Sequence, residues 1–450
     1  MEQNKKVGVA IVLSLVLAVV GCLGLGLVVA GLGYFANGDS RTTTLGGPVA
    51  LIGDDAGVAA EDDAPDEGTF AAELRAALAD AGHELVYRPE DSTLRSDGGT
   101  TLSLKNLYGE YRNTPPEARA AFVERTVRAM FPPPIPERWE DAKGALLPSV
   151  RDQLYLDLLD LRTPGNDVVR KPVSTELVAA LVHDGEVSMQ FVTHEQLKRW
   201  GVTADEAWAA ALENLAQREG PRFEKLQEGV YRSPWKDNYD TARVLIPRRL
   251  KRLRVKGDPV VFLPHRDVLI VTGSEDDEGL AAAIDAVGEA LGLPRATTGR
   301  AWRLRGERWE PFLPSPESPV YDELVDLAED ARVMDSNDQK EALDEKYQAE
   351  GKELLVGTLF RVQSKKTGER FTYCVLTKTV DSLLPKADWV VFIDLDRPNE
   401  EQLVGVAPWD DFKKLLGRAV QPVELPGPDR VRVRGFPNAK QQKSLQADLP

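Results

Sequence analysis

The tightest gathering of reactive side chains is Pro264-His265-Arg266-Asp267, where an imidazole, a guanidinium and a carboxylate sit between two very apolar runs, 260–263 and 268–271. His265 and Asp267 are a candidate acid and base there, and Arg266 a candidate orienting cation for an anion. Turns also collect polar residues for local hydrogen bonding, so the competing reading is a β-turn in which Arg266 and Asp267 pair or cap locally. Asn106, Tyr108, Glu110, Tyr111 and Arg112 lie just before a helix and are candidates to line the same cleft, facing an anion. Packing and capping are the alternative. The binding residues expected are therefore His265, Arg266, Asp267, Asn106, Tyr108 and Arg112, and no residue is assigned a catalytic role.

Other chemistries leave weaker traces. Asp394 and Asp396 end the apolar run 389–393, an arrangement by which transferases and phosphoryl-transfer enzymes hold a divalent cation; a solvated strand end is the competing reading. Haloacid-dehalogenase-like enzymes place Thr or Val where this chain has Pro398. The histidines, His83, His183, His194 and His265, never fall at H-x-x-x-H spacing, and Lys198 occupies the position a zincin-like second histidine needs after His194-Glu195. G-x-S-x-G, Walker A and G-x-G-x-x-G are all missing. Cys374 lies between Tyr373 and Val375 in an apolar strand, which raises a thiol pKa and suppresses nucleophilicity. No metal and no cofactor is expected.

Local patterns indicate the elements that must position these residues. Phe70, Leu74, Ala77, Leu78 and Ala81 keep helical spacing up to Gly82, and a short strand follows at 84–87. Thr114-Pro-Pro-Glu117 reads as a capping box opening a helix with Val123, Val127, Met130 and Phe131 on one face, stopped by the prolines from Pro132 to Pro136. His183-Asp-Gly-Glu186 reads as a hairpin turn. Thr203-Ala-Asp-Glu206 is a second capping box, with Ala207, Trp208, Ala211, Leu212 and Leu215 turned inward. A helix is expected over 244–253, two strands on either side of 264–267, and a helix carrying Leu280, Ala283, Ile284, Val287 and Leu291 that ends near Gly292.

The proline-rich stretch 311–319 marks a boundary. Beyond it helices are expected near 320–333 and 338–350, and strands at 354–363, 371–377 and 389–393. A helix at 409–416 and an alternating strand at 430–434, with Arg430, Arg432 and Arg434 as a basic stripe, complete the pattern.

The chain has 450 residues, room for two or three domains, with 42% apolar and 28% charged residues, which excludes collagen-like, wholly disordered and multi-span membrane classes. A net charge of −16 argues against a coat for nucleic acid, so no nucleic acid is expected as partner. Residues 7–35 carry no charge and are long enough to cross a hydrocarbon core. Lys5 and Lys6 before this run keep the amino terminus cytoplasmic by the positive-inside rule, placing the bulk of the chain outside. A single-pass cell-membrane anchor is the leading reading; Val19-Val-Gly-Cys22 also resembles a lipobox, which would make the protein a lipoprotein acylated at Cys22. Small residues at Ala10, Ser14, Ala18, Cys22, Gly26 and Ala30 form a stripe that would allow helix pairing, or arise from composition alone. Residues 37–68 form an acidic, disordered linker. Arg248, Arg249, Lys251 and Arg252, with Arg254 and Lys256, form a basic cluster suited to an acidic protein or anionic lipid, or to a helix C-terminus and neutralisation of the acids at 275–278.

Asn106-Leu-Tyr-Gly-Glu-Tyr-Arg112, Leu147-Pro-Ser-Val-Arg151, Ala211-Leu-Glu-Asn-Leu215, Asp240-Thr-Ala-Arg243 and Leu263-Pro-His-Arg-Asp-Val-Leu269, in this order, resemble the YtpQ-like family of uncharacterised bacterial proteins. The resemblance covers residues 69–300 and implies a bacterial α/β domain with no known activity; the apolar run at 7–35 departs from it. The resulting expectation is an α/β (α+β mixed) protein. It comprises an N-terminal transmembrane helix at 1–36, the linker at 37–68, a larger YtpQ-like domain at 69–312, a smaller α+β domain at 320–436 and a loose tail at 437–450. Its function is that of a membrane-tethered binding or scaffolding module. The rival is a metal-assisted hydrolase or transferase built on Asp394 and Asp396.

Overall fold

The computed structural model describes residues 27–28, 65–96, 101–130, 132–185, 188–218, 220–364 and 367–450. They form a mixed α/β architecture of several sheets and twelve α-helices, in two compact units that divide between Ala331 and Arg332. The division falls inside the helix Tyr321–Ala349, which is continuous where two helices were expected. No proline interrupts it, and Asn337 in its middle is held in place by accepting from the Leu359 N–H at 3.1 Å.

The larger unit is organised by a six-stranded antiparallel sheet in the order Arg308–Pro311, Ala301–Arg305, Pro259–His265, Val268–Gly273, Val230–Arg232 and Glu224–Gln227. The apolar runs on either side of residues 264–267 are its central strands, buried on both faces, which is why they lack the polar alternation of a half-exposed strand. Val260, Phe262, Val268 and Ile270 face the helix Asp277–Leu291, packing on Leu280, Ala283 and Val287. Val261, Leu263, Leu269 and Val271 face the other way, into a core shared with a four-stranded sheet in which Leu177–Asp184 pairs with Leu146–Asp152, Arg170–Pro172 and Met189–Phe191. Burial of this many side chains at roughly 1.5–3 kcal/mol each fixes where the strands end, and so where their connecting turn stands.

The helix Ala204–Gln217 covers this core and opens with the expected capping box of Thr203 and Glu206. Its Leu212 is exposed rather than turned inward. A separate apolar cluster gathers the helices Glu67–Asp80, Lys105–Arg112 and Arg119–Met130 around Phe70, Leu74, Tyr111 and Phe122. Thr114 is not a helix cap here: its hydroxyl donates back to the Glu110 carbonyl at 2.8 Å, and a 3₁₀ turn, Pro116–Ala118, leads into the next helix. The helix expected over 244–253 is likewise two short pieces, a 3₁₀ turn Thr241–Leu245 and one α-turn Pro247–Leu250, since Pro247 has no N–H to continue the ladder.

In the smaller unit the strand Arg370–Thr377 runs antiparallel to Phe360–Ser364 and parallel to Trp389–Ile393, with Leu403–Pro408 beyond and the two-residue strand Leu27–Val28 at the opposite edge. A second sheet holds Leu355–Val356, Ser382–Pro385, Arg430–Val433 and Val420–Val423. The basic stripe expected on 430–434 does not form. Arg430 is 2% exposed and donates to Gln339 Oε1 at 2.6 Å, the Ser336 carbonyl at 2.6 Å and the Gly357 carbonyl at 2.8 Å, while Arg432 and Arg434 both pair with Asp381.

The tail is not loose either. Asn438 caps the helix Ala439–Gln442, Gln446 bridges to Val406, and Leu449 is buried. The expected membrane span lies outside the described residues except for Leu27 and Val28, and the expected linker except for 65–68. Among the described residues no helix is long and apolar enough to cross a membrane.

Candidate functional site

The turn after Pro259–His265 is where the polar residues of the larger unit meet. His265 ends its strand, so its ring lies at the sheet margin against the segment 294–297, where Ala296 pairs with it and the Thr297 N–H donates to the Pro264 carbonyl at 2.7 Å. The imidazole Nδ1 accepts from the Asp267 N–H at 3.1 Å and Nε2 lies 2.9 Å from the Pro294 carbonyl. A carbonyl only accepts, so the ring is the neutral tautomer protonated on Nε2. Burial pushes the imidazole below its ordinary pKa, against the pull of the neighbouring Asp267 carboxylate.

Asp267 ties this turn to the loop 233–243. Its Oδ1 accepts from the Asn238 N–H at 2.6 Å and its Oδ2 from Arg266 Nε at 3.3 Å. The loop is tightly wound: Lys236 and Asn238 take positive φ of 50° and 65°, a conformation costly for residues with a β carbon unless their surroundings hold it. What holds it is Asp237, which accepts from both Arg243 terminal nitrogens at 2.6 and 2.7 Å and from the Tyr239 N–H at 3.1 Å. Arg243 is fully buried, with its guanidinium 4.3 Å over the Trp235 ring. Burial alone would raise the Asp237 pKa, but the Arg243 fork holds it below its ordinary value.

Asp240 has no such partner. It is 0% exposed, its Oδ2 accepts from the Asp237 N–H at 3.2 Å, and its Oδ1 has no hydrogen-bond partner among the described residues. Burial, joined by the charges of Asp237 and Asp267, pushes its pKa up to about 6, against a Ser233 hydrogen bond and Arg243.

On the opposite side stands the helix Lys105–Arg112. Asn106 accepts from the Arg295 N–H at 3.2 Å, and Glu110, one turn on, pairs with the Arg295 side chain. Arg295 itself has φ 62°. Asn106, His265, Arg266 and Asp267 thus converge through Arg295 and Glu110, whereas Tyr108 and Arg112 do not join them. Tyr108 packs on Phe70 and donates to the Pro65 carbonyl at 3.1 Å, and Arg112 lies over the Tyr108 ring. The reason is helical geometry: residues 106 and 110 share one face, and 108 and 112 share the other.

The carboxylate pair of the smaller unit is also closed. Lys378 Nζ lies 3.0 Å from Asp394 Oδ2 and 3.0 Å from Asp396 Oδ2, and Arg397 Nε is 3.2 Å from Asp394. Asp394 is therefore neither a solvated strand end nor an uncompensated cation site. Among the described residues no group of three or more His, Cys, Asp or Glu side chains is arranged to hold a metal ion.

Known proteins match part of this chain. A UPF0354 protein of Listeria welshimeri is 30% identical over 209 residues, 44% of this chain and 75% of the relative. The chain belongs to the UPF0354 family. A UPF0354 protein of Bacillus cereus is 24% identical over 220 residues, 78% of its length, and one of Listeria monocytogenes 34% identical over 96 residues. That last match spans 36% of the relative's own length. No family model and no solved structure matches. The uncharacterised bacterial family expected from the motifs is thus confirmed under the UPF0354 designation, which carries no known catalytic function.

In this UPF0354 chain the residues missed by sequence reasoning are Asp237, Asp240, Arg243 and Arg295. Asp240-Thr-Ala-Arg243 carries a signal as one of the motifs of the family resemblance. Arg295 carries none, since nothing local distinguishes an arginine after Pro294 in the connection that follows the helix Asp277–Leu291.

Proposed function

We propose that this UPF0354 chain is a membrane-tethered binding module, and that the junction around residues 264–267 holds a recognition surface rather than performing proton chemistry. The supporting observation is that both His265 nitrogens are engaged in backbone hydrogen bonds, leaving no free position from which to abstract or deliver a proton. Tethering rests on the uncharged run 7–35, and an extracytoplasmic bulk on Lys5 and Lys6 before it; acylation at Cys22 is the alternative form of anchor.

Separately from that junction, the basic segment after Pro247 offers a second surface, for a macromolecular partner. Of its four cations, Arg249 donates to the Ala216 carbonyl at 2.8 Å and Lys251 pairs with Glu307 at 2.7 Å. Arg248 and Arg252 are exposed and have no ionic partner among the described residues. In a chain of net charge −16 they favour an anionic partner, protein or lipid.

Two measurements test this. Protease added to intact spheroplasts should remove the chain from residue 38 onward, and full protection overturns the topology. A photo-cross-linking residue at position 248 or 252 of the full chain should give a discrete adduct in the membrane fraction, whose mass separates lipid from protein. Absence of any adduct at both positions overturns the binding surface.

A further inference from the structure

The Arg266 side chain is 14% exposed, yet it is not consumed by the network around it. Its only side-chain partner among the described residues is Asp267, met at 3.3 Å through Nε. Asp267 is in turn fixed by the Asn238 N–H at 2.6 Å, so the plane of the guanidinium is set from behind. The two terminal nitrogens have no acceptor among the described residues and are not sealed from solvent by them. A recessed guanidinium with its Nε anchored and its terminal fork open is preorganised, because binding immobilises no further side chain.

The surroundings add charge of the same sign. Arg295 lies within electrostatic reach of Arg266, and its own carboxylate partner, Glu110, is engaged on Arg295. An anion on the fork would relieve the repulsion between these two guanidiniums while making charge-assisted hydrogen bonds to the first.

We infer that the open fork of Arg266 receives one oxyanion, a carboxylate or phosphate group, of a small ligand. The inference rests on the reading of this junction as a recognition surface and names the chemistry recognised there. The ligand's remaining atoms lie over the polar turn, with Asp267 and Asn238 acting as positioning residues.

The test is isothermal titration calorimetry of the full chain in detergent with inorganic phosphate and with succinate, ionic strength being held constant with chloride. Saturable one-to-one binding of at least one probe is expected, and the probe that binds identifies the group as phosphate or carboxylate. Arg266→Gln should weaken it at least about tenfold, and Arg266→Lys, which keeps the charge without the fork, should weaken it as well. Arg308→Gln, at an exposed arginine outside both proposed surfaces, should leave it unchanged. Failure of both probes with the wild-type chain, or undiminished binding in both Arg266 variants, overturns the inference. So does an equal loss in Arg308→Gln, which would assign the heat to surface charge. If Arg266→Gln fails to fold by near-ultraviolet circular dichroism, the lysine variant decides. None of these results alters the photo-cross-linking at 248 and 252, so the two readings fail separately.

Discussion

Two aspartates illustrate how neighbours decide what a buried carboxyl does. Asp240 has only weak compensation, and its pKa is pushed up to about 6 from an ordinary 3.8. The folded state therefore holds a proton more tightly than the unfolded chain does. Its ionisation costs stability as pH rises through the window between 3.8 and about 6, and that cost is lifted on acidification. Asp240→Asn removes this titration. Urea unfolding of the larger unit at pH 7 and pH 4.5 should show the wild type gaining roughly 1–3 kcal/mol relative to the variant at the lower pH. An identical pH dependence in the two proteins would contradict the assignment. Asp394 is the reverse case: burial raises its pKa, but Lys378, the Asp396 N–H and Arg397 together hold it below 3.8. Its contribution is present above that value and is lost as pH falls through the depressed pKa. Asp394→Asn should cost about 1–3 kcal/mol at neutral pH, less in acid, with no dependence on Mg²⁺, Mn²⁺ or Ca²⁺. A metal-dependent rise in melting temperature that Asp394→Asn abolishes would instead restore the cation-binding reading of Asp394 and Asp396.

Elements were legible where one local signal determined them. The capping box at Thr203 and the double-sided apolar runs around residues 264–267 gave a helix start and two central strands because local chemistry and burial agree there. They failed where a distant contact took over. Thr114 has a capping sequence, but its hydroxyl is drawn to the preceding helix. Arg430 alternates like an exposed strand residue, yet carbonyls from three other segments satisfy it. The tail is the plainest example. Its polar composition suggests disorder, but Gly405 leaves room for it: φ there is 147°, and an added β carbon would lie 2.7 Å from Leu445 Cβ and 2.8 Å from the Gln446 carbonyl oxygen. Gly405→Ala should therefore release the segment from the edge strand. Trypsin cleavage at Lys440 and Lys443 should accelerate severalfold while the circular dichroism of the rest changes little. Cleavage at the wild-type rate would mean that the tail is held some other way.

At the scale of the molecule, composition and motif order sufficed to expect a mixed α/β protein with a larger family-bearing region and a smaller α+β region. The junction between loop 233–243, turn 264–267 and segment 294–297 could not be read in advance. With Asn106 of the helix Lys105–Arg112 included, its members lie up to 189 residues apart, and only the packed fold brings them together. Half of the site was named from sequence because local clustering marks a turn. The other half, Asp237, Asp240, Arg243 and Arg295, is defined by what surrounds it in the fold.

Cys374 gives the smaller unit an internal clock. It is 0% exposed, its thiol is pushed up to about 12 by burial, and its strand is bonded on both sides, to Phe360–Ser364 and to Trp389–Ile393. A thiol reagent can reach it only when that sheet parts, so under native conditions the rate of labelling counts opening events. No engineered probe is needed. Raising reagent concentration should carry the labelling rate from proportional growth to a plateau equal to the opening rate of the sheet. Labelling as fast as that of a free thiol in a peptide would show the strand to be open to solvent.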